Sequence, residues 1–333
     1  MRQEGERWWS SETVAVVTGA NKGIGLEIVR QLAKEGVTVV LTARDASRGK
    51  DALAYLKGQG LNNVNFHPLD VGSDESIKRL TEWLRTTYGG IDILINNAGI
   101  GGKGVSLENA KLVLGTNYFA VKNVTKSLLP ILRDTPNGAR VIVVASRTGQ
   151  FKAMENKDYL KPLLDREHIT EAMVDSFANK YMEEVGNGTW KERGWPDWSK
   201  LGYPSPMQTY SVSKMCVIAY VSALHNSSSS SSLDHDHQHH HQHHHQHHCQ
   251  HHHQHNQQQH HHHHHHHVLV GQPERKQEIN VFSCCPGYVA TDMNNYRGNK
   301  TLEEGADTPV WLALHSPQGG SGNFWYERKV IEF

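Results

Sequence analysis

Tyr210 and Lys214 stand four residues apart in a stretch, residues 208–224, whose apolar spacing predicts a helix, so both side chains share one face. A phenol ordinarily loses its proton near pH ~10 and shuttles protons poorly at neutrality, but a fixed ammonium beside it favours the phenolate. Lowering that value by about three units takes roughly 4 kcal/mol of differential stabilisation, which one lysine and a cationic cofactor ring could supply in a shielded cleft. The pair therefore reads as a general acid and base. Spacing alone does not select it, because Tyr118 with Lys122 and Tyr296 with Lys300 share it. Tyr296 falls in the loop-like run N-N-Y-R-G-N-K and Tyr118 lies inside a long predicted helix, whereas Tyr210 opens its helix after a proline-rich loop. Ser146, at the end of an apolar run, can donate its hydroxyl to a carbonyl oxygen on which negative charge develops, or it is a strand-end turn serine. Asn117 either links Lys214 to solvent through water or bonds locally within its helix.

These groups need a frame, and residues 14–25, V-A-V-V-T-G-A-N-K-G-I-G, provide its first corner. A buried strand over residues 13–17 runs into Gly19, Gly23 and Gly25, and a helix with apolar residues at Ile28, Val29 and Leu32 follows as far as Gly36. Glycines there permit close approach and leave helix-start N–H groups free to meet a phosphate, the pyrophosphate of a dinucleotide being the natural guest. The G-x-x-x-G-x-G spacing differs from G-x-G-x-x-G, and a glycine-rich corner without a ligand is the alternative reading.

Further apolar runs at 37–42, 64–69, 91–95, 141–145 and 279–284 alternate with helical stretches at 47–57, 73–88, 106–132 and 301–314, and residues 322–330 read as a last strand. That alternation predicts an α/β fold with a doubly wound parallel sheet, in which ligands lie beyond the carboxyl ends of the strands. Asp70, Asn96 to Gly99, Ser146 and Pro286-Gly287 all follow strands.

With 34 basic and 34 acidic residues in 333, nothing points to nucleic acid or a membrane surface, and no apolar run approaches a membrane span or signal peptide. A soluble cytoplasmic protein with reduced cysteines is expected. Residues 1–12 read as a flexible terminus and 13–333 as one domain. Within it, residues 151–206, carrying Trp190, Trp195 and Trp198, form an insertion, either a wall over the substrate or an aromatic-packed surface addition. Residues 226–267 are a Ser-, His- and Gln-rich tract holding most of the 26 histidines. Its composition predicts a disordered loop with no fixed metal geometry.

The motifs T-G-A-N-K-G-I-G (18–25), N-N-A-G (96–99), Asn117, Ser146, Y-S-V-S-K (210–214) and P-G (286–287) together resemble the short-chain dehydrogenase/reductase family, in its order and strand context over residues 13–333 apart from the histidine tract. The resemblance implies a Rossmann-like sheet of about seven parallel strands, a nicotinamide cofactor and a catalytic tetrad of Asn117, Ser146, Tyr210 and Lys214. Tyr210 would protonate the carbonyl that receives hydride, Ser146 would steady its oxygen, and Lys214 would bind the nicotinamide ribose. Gly19, Asn21, Lys22, Gly23, Ile24 and Gly25 would hold the cofactor. Asp70 and Val71 would flank the adenine, Asn96, Ala98 and Gly99 the adenosine ribose, and Pro286, Gly287, Val289 and Thr291 the carboxamide.

L-T-A-R-D (41–45) and Y-G-G-I-D-I-L-I-N-N-A-G-I (88–100) resemble carbonyl reductases, and C-P-G-Y-V-A-T-D-M-N (285–294) resembles their plant branch, which includes menthone and salutaridine reductases. Those relatives imply a monomer whose insertion covers the usual pairing surface. Met215 and Cys216 depart from the small residues usual beside the lysine. Lys22 and Arg44 favour NADPH/NADP+ over NAD, although Asp45 lies where an acidic ribose ligand could stand. The expected function is NADPH-dependent reduction of a ketone or aldehyde of a small, mostly apolar metabolite, terpenoid, alkaloid or quinone-like, with Ile100, Gly101, Gly102, Met207 and Tyr288 lining the pocket. An NADP-dependent alcohol oxidation, a silent nucleotide-binding module and metal capture by the histidine tract are the alternatives.

Overall fold

The computed structural model describes residues 7–246 and 278–333. Among the described residues eight strands form one sheet: β1 (Val14–Val17), β2 (Thr38–Ala43), β3 (Val64–Pro68), β4 (Ile93–Asn96), β5 (Ala139–Val144), β6 (Ile279–Cys285), β7 (Phe324–Tyr326) and β8 (Lys329–Ile331), in the order β3-β2-β1-β4-β5-β6-β7-β8. Pairs from β3 through β7 are parallel, and β8 joins antiparallel to β7. The single last strand expected over 322–330 is thus a hairpin. Its turn residues Glu327 and Arg328 both take positive φ (49° and 59°), the twist that a two-residue hairpin favours.

Nine helices flank the sheet among the described residues: α1 (Gly23–Lys34), α2 (Ala46–Gly58), α3 (Asp74–Tyr88), α4 (Leu107–Leu114), α5 (Ala120–Leu128), α6 (Lys157–Leu164), α7 (Glu171–Gly186), α8 (Gln208–Gln246) and α9 (Leu302–His315). Side-chain caps set their starts. Asp45 accepts from Arg48 N (2.9 Å) at α2, Ser73 and Ser106 open α3 and α4, and Thr301 with Glu304 forms a capping box at α9. The sheet divides the core into two layers. On one face α1, α2 and α9 bury Ile28, Leu32, Leu56 and Val310; on the other α3, α4, α5 and α8 bury Leu80, Leu114, Val124 and Val217. Strands buried on both faces explain the continuous apolar runs.

Three further expectations need correction. The long helix over 106–132 is split by a π-helical turn, Gly115–Phe119, between α4 and α5. The part of residues 1–12 that is described is pinned rather than flexible: Trp8 Nε1 donates to Leu314 O, Trp9 Nε1 donates to Glu35 O at 3.0 Å, and Arg140 lies 3.9 Å over the Trp8 ring. The start of the low-complexity tract continues α8 rather than forming a loop. There the hydroxyls of Ser227 and Ser228 donate to Leu224 O and that of Ser229 to His225 O, so the serines bond within the helix. The remainder of the tract, residues 247–267, lies outside the described residues. Cys216, Cys284 and Cys285 are free thiols, and Cys249 falls in the same undescribed stretch.

The insertion comprises α6, α7 and short turns, and its α7 packs on α4 and α8. Buried Glu184 anchors it, accepting from Tyr159 OH (2.6 Å) and Trp195 Nε1 (2.7 Å) while Phe177 and Tyr181 pack on the Trp195 ring. Ser205 and Pro206 from its end border the cavity described next.

Candidate active site

The strand ends β1, β4, β5 and β6 converge where the winding reverses. After β1, Gly19 and Gly23 both take φ +58°. A Cβ on Gly19 would stand 2.8 Å from Ala98 Cα, and one on Gly25 would stand 2.5 Å from Asn97 Nδ2 and 2.6 Å from Gly19 O. The α1 start carries no side-chain cap and no acidic residue in its first turn. Its amides are thus offered to an anion, and the bare glycines give the backbone-lined cradle that a pyrophosphate requires.

The N-N-A-G turn braces this corner. Thr18 Oγ1 accepts from Asn97 N and Ala98 N (both 3.0 Å), and Asn97 Nδ2 donates to Thr18 O (3.2 Å) and Gly19 O (3.1 Å). Asn96 was expected beside the adenosine ribose, but its buried side chain donates to Thr125 Oγ1 at 3.1 Å. Successive strand residues point to opposite faces, so Asn97 and Thr18, which sequence reading passed over, shape the corner instead.

Along the adenosine side Asp45 serves α2 as its cap, which accounts for that carboxylate without a ribose. Arg44 is exposed at the end of β2. Lys22 pairs with Asp292 (Nζ–Oδ2 2.8 Å). Asp70 accepts from Gly72 N at 3.0 Å in a local turn, and Val71 packs against the core. Thr291 caps the short turn Asp292–Asn294, and its Cγ2 lies 4.0 Å from where a Gly23 Cβ would be. Asn21 and Ile24 flank the glycines, and Ile24 reaches the cavity that Pro286, Gly287, Val289 and Thr291 also line.

That cavity has a volume of about 450 Å³, and Ser146 and Tyr210 form part of its wall. Ser146 Oγ shares a hydrogen bond with Thr148 Oγ1 (2.9 Å) and bonds the Tyr210 hydroxyl. Lys214, buried, donates to Val144 O (3.2 Å) and lies 5.4 Å from the centroid of the Tyr210 ring. Asn117 is a strut rather than a free water-binder. Its Oδ1 accepts from Ile100 N (2.8 Å), and its Nδ2 donates to Ile100 O (2.9 Å) and Ser213 Oγ (3.0 Å). Gly99 sits against both groups, a Cβ there falling 3.3 Å from Asn117 Oδ1 and 3.6 Å from Lys214 Nζ. Of the expected pocket residues Gly101, Gly102, Met207 and Tyr288 line the cavity, while Ile100 is taken up by Asn117. Val105, Cys285 and Met293 join the wall without having been anticipated. Val105 follows Gly104, Cys285 ends β6 and Met293 lies in the turn Asp292–Asn294, but nothing in their type marked them.

The electrostatics differ from the sequence expectation. Burial pushes the Tyr210 phenol well above its ordinary value, Cys285 adds to the rise, and the Ser146 hydrogen bond opposes it. Burial pushes Lys214 down to about 8, with Cys285 and Cys284 opposing. The lysine faces the ring and a carbonyl rather than the phenolic oxygen, so it does not offset desolvation there.

The two competing Tyr–Lys pairs are accounted for elsewhere. Tyr118 OH and Lys122 Nζ both donate to Asp175 of α7, at 2.7 and 2.9 Å. Tyr296 has φ +59° outside any helix and bonds Asp292, while Lys300 pairs with Glu327. Among the described residues no group of His, Cys, Asp and Glu could hold a metal, and no helix is long and apolar enough to cross a membrane.

Residues 13–160 match the family model described as short chain dehydrogenase. Carbonyl reductase [NADPH] 1 of Bos taurus is 34% identical over 331 residues, covering 97% of this chain and 99% of that protein. The chain belongs to the short chain dehydrogenase family. As a short chain dehydrogenase it is an oxidoreductase, and it is similar as well to (+)-neomenthol dehydrogenase of Arabidopsis thaliana, at 33% identity over 96% of this chain and 97% of that one. Among solved structures it is similar to salutaridine reductase from Papaver somniferum (TM-score 0.73, 30% identity, 95% of this chain and 99% of that one). Menthone neomenthol reductase from Mentha piperita follows the same course (TM-score 0.68, 25% identity, 95% and 99%).

Proposed function

We propose that this short chain dehydrogenase reduces the ketone or aldehyde group of a small, largely apolar metabolite, of terpenoid, alkaloid or quinone kind, with NADPH. The observation that carries the reading is the meeting of Ser146 and Tyr210 on one cavity, with Lys214 buried behind the Tyr210 ring, beside an uncapped helix start and a bare glycine cradle. NADPH, bound along Gly19 to Gly25 and Asn96 to Gly99, supplies the hydride. Lys22 and Arg44 receive its 2′-phosphate, with Asp70 and Val71 at the adenine and Pro286 to Thr291 at the nicotinamide end.

Ser146 donates to the carbonyl oxygen, and Tyr210 gives that oxygen its proton. The raised phenol pKa keeps Tyr210 protonated at neutral pH, and a developing alkoxide is basic enough to take the proton. Lys214, against the ring face, holds the nicotinamide ribose. Asn117 acts by fixing Ile100 and Ser213 around the lysine. The cavity wall, with Ile24, Val105, Met207, Val289 and Met293, suits an apolar body better than a charged one.

The same reading makes the protein a cytoplasmic monomer, α7 covering a helical face that a partner would otherwise need. The test is NADPH oxidation across cyclic monoterpene ketones, alkaloid ketones and quinones. Turnover of at least one class supports the reading, and no turnover of any despite tight NADPH binding sinks it.

A further inference from the structure

Opposite the glycine corner, residues 288–300 fold back as a closed loop. Its base is tied by Asn299 N to Tyr288 O (2.8 Å) and by Ala290 N to Lys300 O (3.0 Å). Its tip is the short turn Asp292–Asn294, set by a Thr291–Asn294 capping box and followed by Asn295 and Tyr296, both at positive φ. The loop walls the substrate cavity through Tyr288, Val289, Thr291, Met293 and Asn294. Across the crevice the tip reaches the glycine turn: Lys22 Nζ donates to Asp292 Oδ2 at 2.8 Å, between residues 270 apart in sequence. Tyr296 OH donates to the other carboxylate oxygen, fixing the acid toward the lysine.

This lysine is the cation assigned above to the cofactor's 2′-phosphate, and the inference rests on that reading. An ammonium engaged by a carboxylate is not fully available to a phosphate, so a cofactor that needs Lys22 meets a competitor that a cofactor lacking the phosphate does not. We propose that Asp292 is an internal stand-in for the 2′-phosphate: by holding Lys22 it weakens NADPH binding, leaves NADH binding alone, and so sets the preference between the two. Apparent affinity falls by the fraction of time Lys22 is free. For an ion pair exposed at both ends that fraction corresponds to an effect of about two- to fivefold, smaller at high salt. Asp292 is a positioning residue here, acting only through Lys22.

The test is dissociation constants for NADPH and NADH, measured by fluorescence titration of the full chain and its Asp292→Asn, Lys22→Ala and doubly substituted variants. The expected result is that Asp292→Asn tightens NADPH about two- to fivefold and leaves NADH unchanged, and that the gain vanishes in the Lys22→Ala background. Equal tightening of both cofactors, a gain that persists without Lys22, or no change at all overturns the proposal. The Lys22→Ala variant separates the two readings. If it loses NADPH affinity while Asp292→Asn changes nothing, the stand-in fails and the phosphate assignment stands; if NADPH affinity is indifferent to Lys22, both fall.

Discussion

At the scale of single residues the proposed chemistry depends on Tyr210. Its replacement by Phe keeps the ring and removes the proton, so carbonyl reduction should fall about 10²- to 10⁴-fold while NADPH affinity stays within about twofold. Stopped-flow and binding titrations check the two halves. Lys214 carries a second prediction. Its pKa in the folded protein, about 8, lies below its ordinary value of 10.5, so folding there opposes protonation. The penalty is fully present below pH 8 and disappears as pH rises toward 10.5, which makes this lysine's contribution to stability improve over that window. Denaturant titration should therefore find Lys214→Met more stable than the parent near neutrality, by on the order of 3 kcal/mol, with the gap closing between pH 8 and 10.5. The proximity of Ser146, Tyr210 and Lys214 was legible because a tyrosine, a lysine and a strand-end serine fall at spacings a helix and a sheet convert into closeness. What the side chains do there was not legible. Asn117 braces a loop, and Tyr210 responds to burial more than to its lysine, because both outcomes depend on partners remote in the chain.

At the scale of elements the strand-to-helix corner is the most exposed to small changes. A methyl at Gly25 meets Asn97 Nδ2 and Gly19 O at contact distances no side chain adopts. Gly25→Ala should cost about 1–3 kcal/mol in unfolding free energy and abolish measurable cofactor binding, the first read by urea titration and the second by calorimetry. Glycines announced this corner in the sequence. The wide turn Gly115–Phe119 was not announced, because the apolar positions on either side continue one helical pattern and a single residue of slippage leaves no compositional trace. The β7–β8 hairpin was hidden for a related reason: Glu327-Arg328 is not a pair that advertises positive φ.

At the scale of the whole molecule, α7 is fastened to the sheet's helical layer by two partly buried carboxylates, Asp175 and Glu171, the latter pairing with Lys122 and Lys126. Asp175 accepts from Tyr118, which is fully buried, and from Lys122. Asp175→Ala leaves the buried Tyr118 hydroxyl without that partner, while Lys122 keeps Glu171 at 3.4 Å, and should lower stability by about 1–3 kcal/mol, seen as an earlier midpoint in urea. The histidine tract has the opposite standing. Asn226 still donates to Arg166 O and Ile169 O, so the boundary between working fold and tolerated expansion falls later than composition suggested. Excision of residues 230–267 should leave turnover nearly unchanged, and a large loss in a folded deletion variant would show that the tract contributes to catalysis.

One consequence of the strand order concerns synthesis rather than catalysis. β6 lies between β5 and β7 in the sheet, yet about 130 residues separate the end of β5 from its start. At translation rates of about 5–20 residues per second, a nascent chain would wait roughly 7–26 seconds before β6 emerges to cover the apolar strand Ala139–Val144. Shortening the histidine stretch should narrow that interval, raising the soluble yield on expression even where the purified enzyme gains nothing.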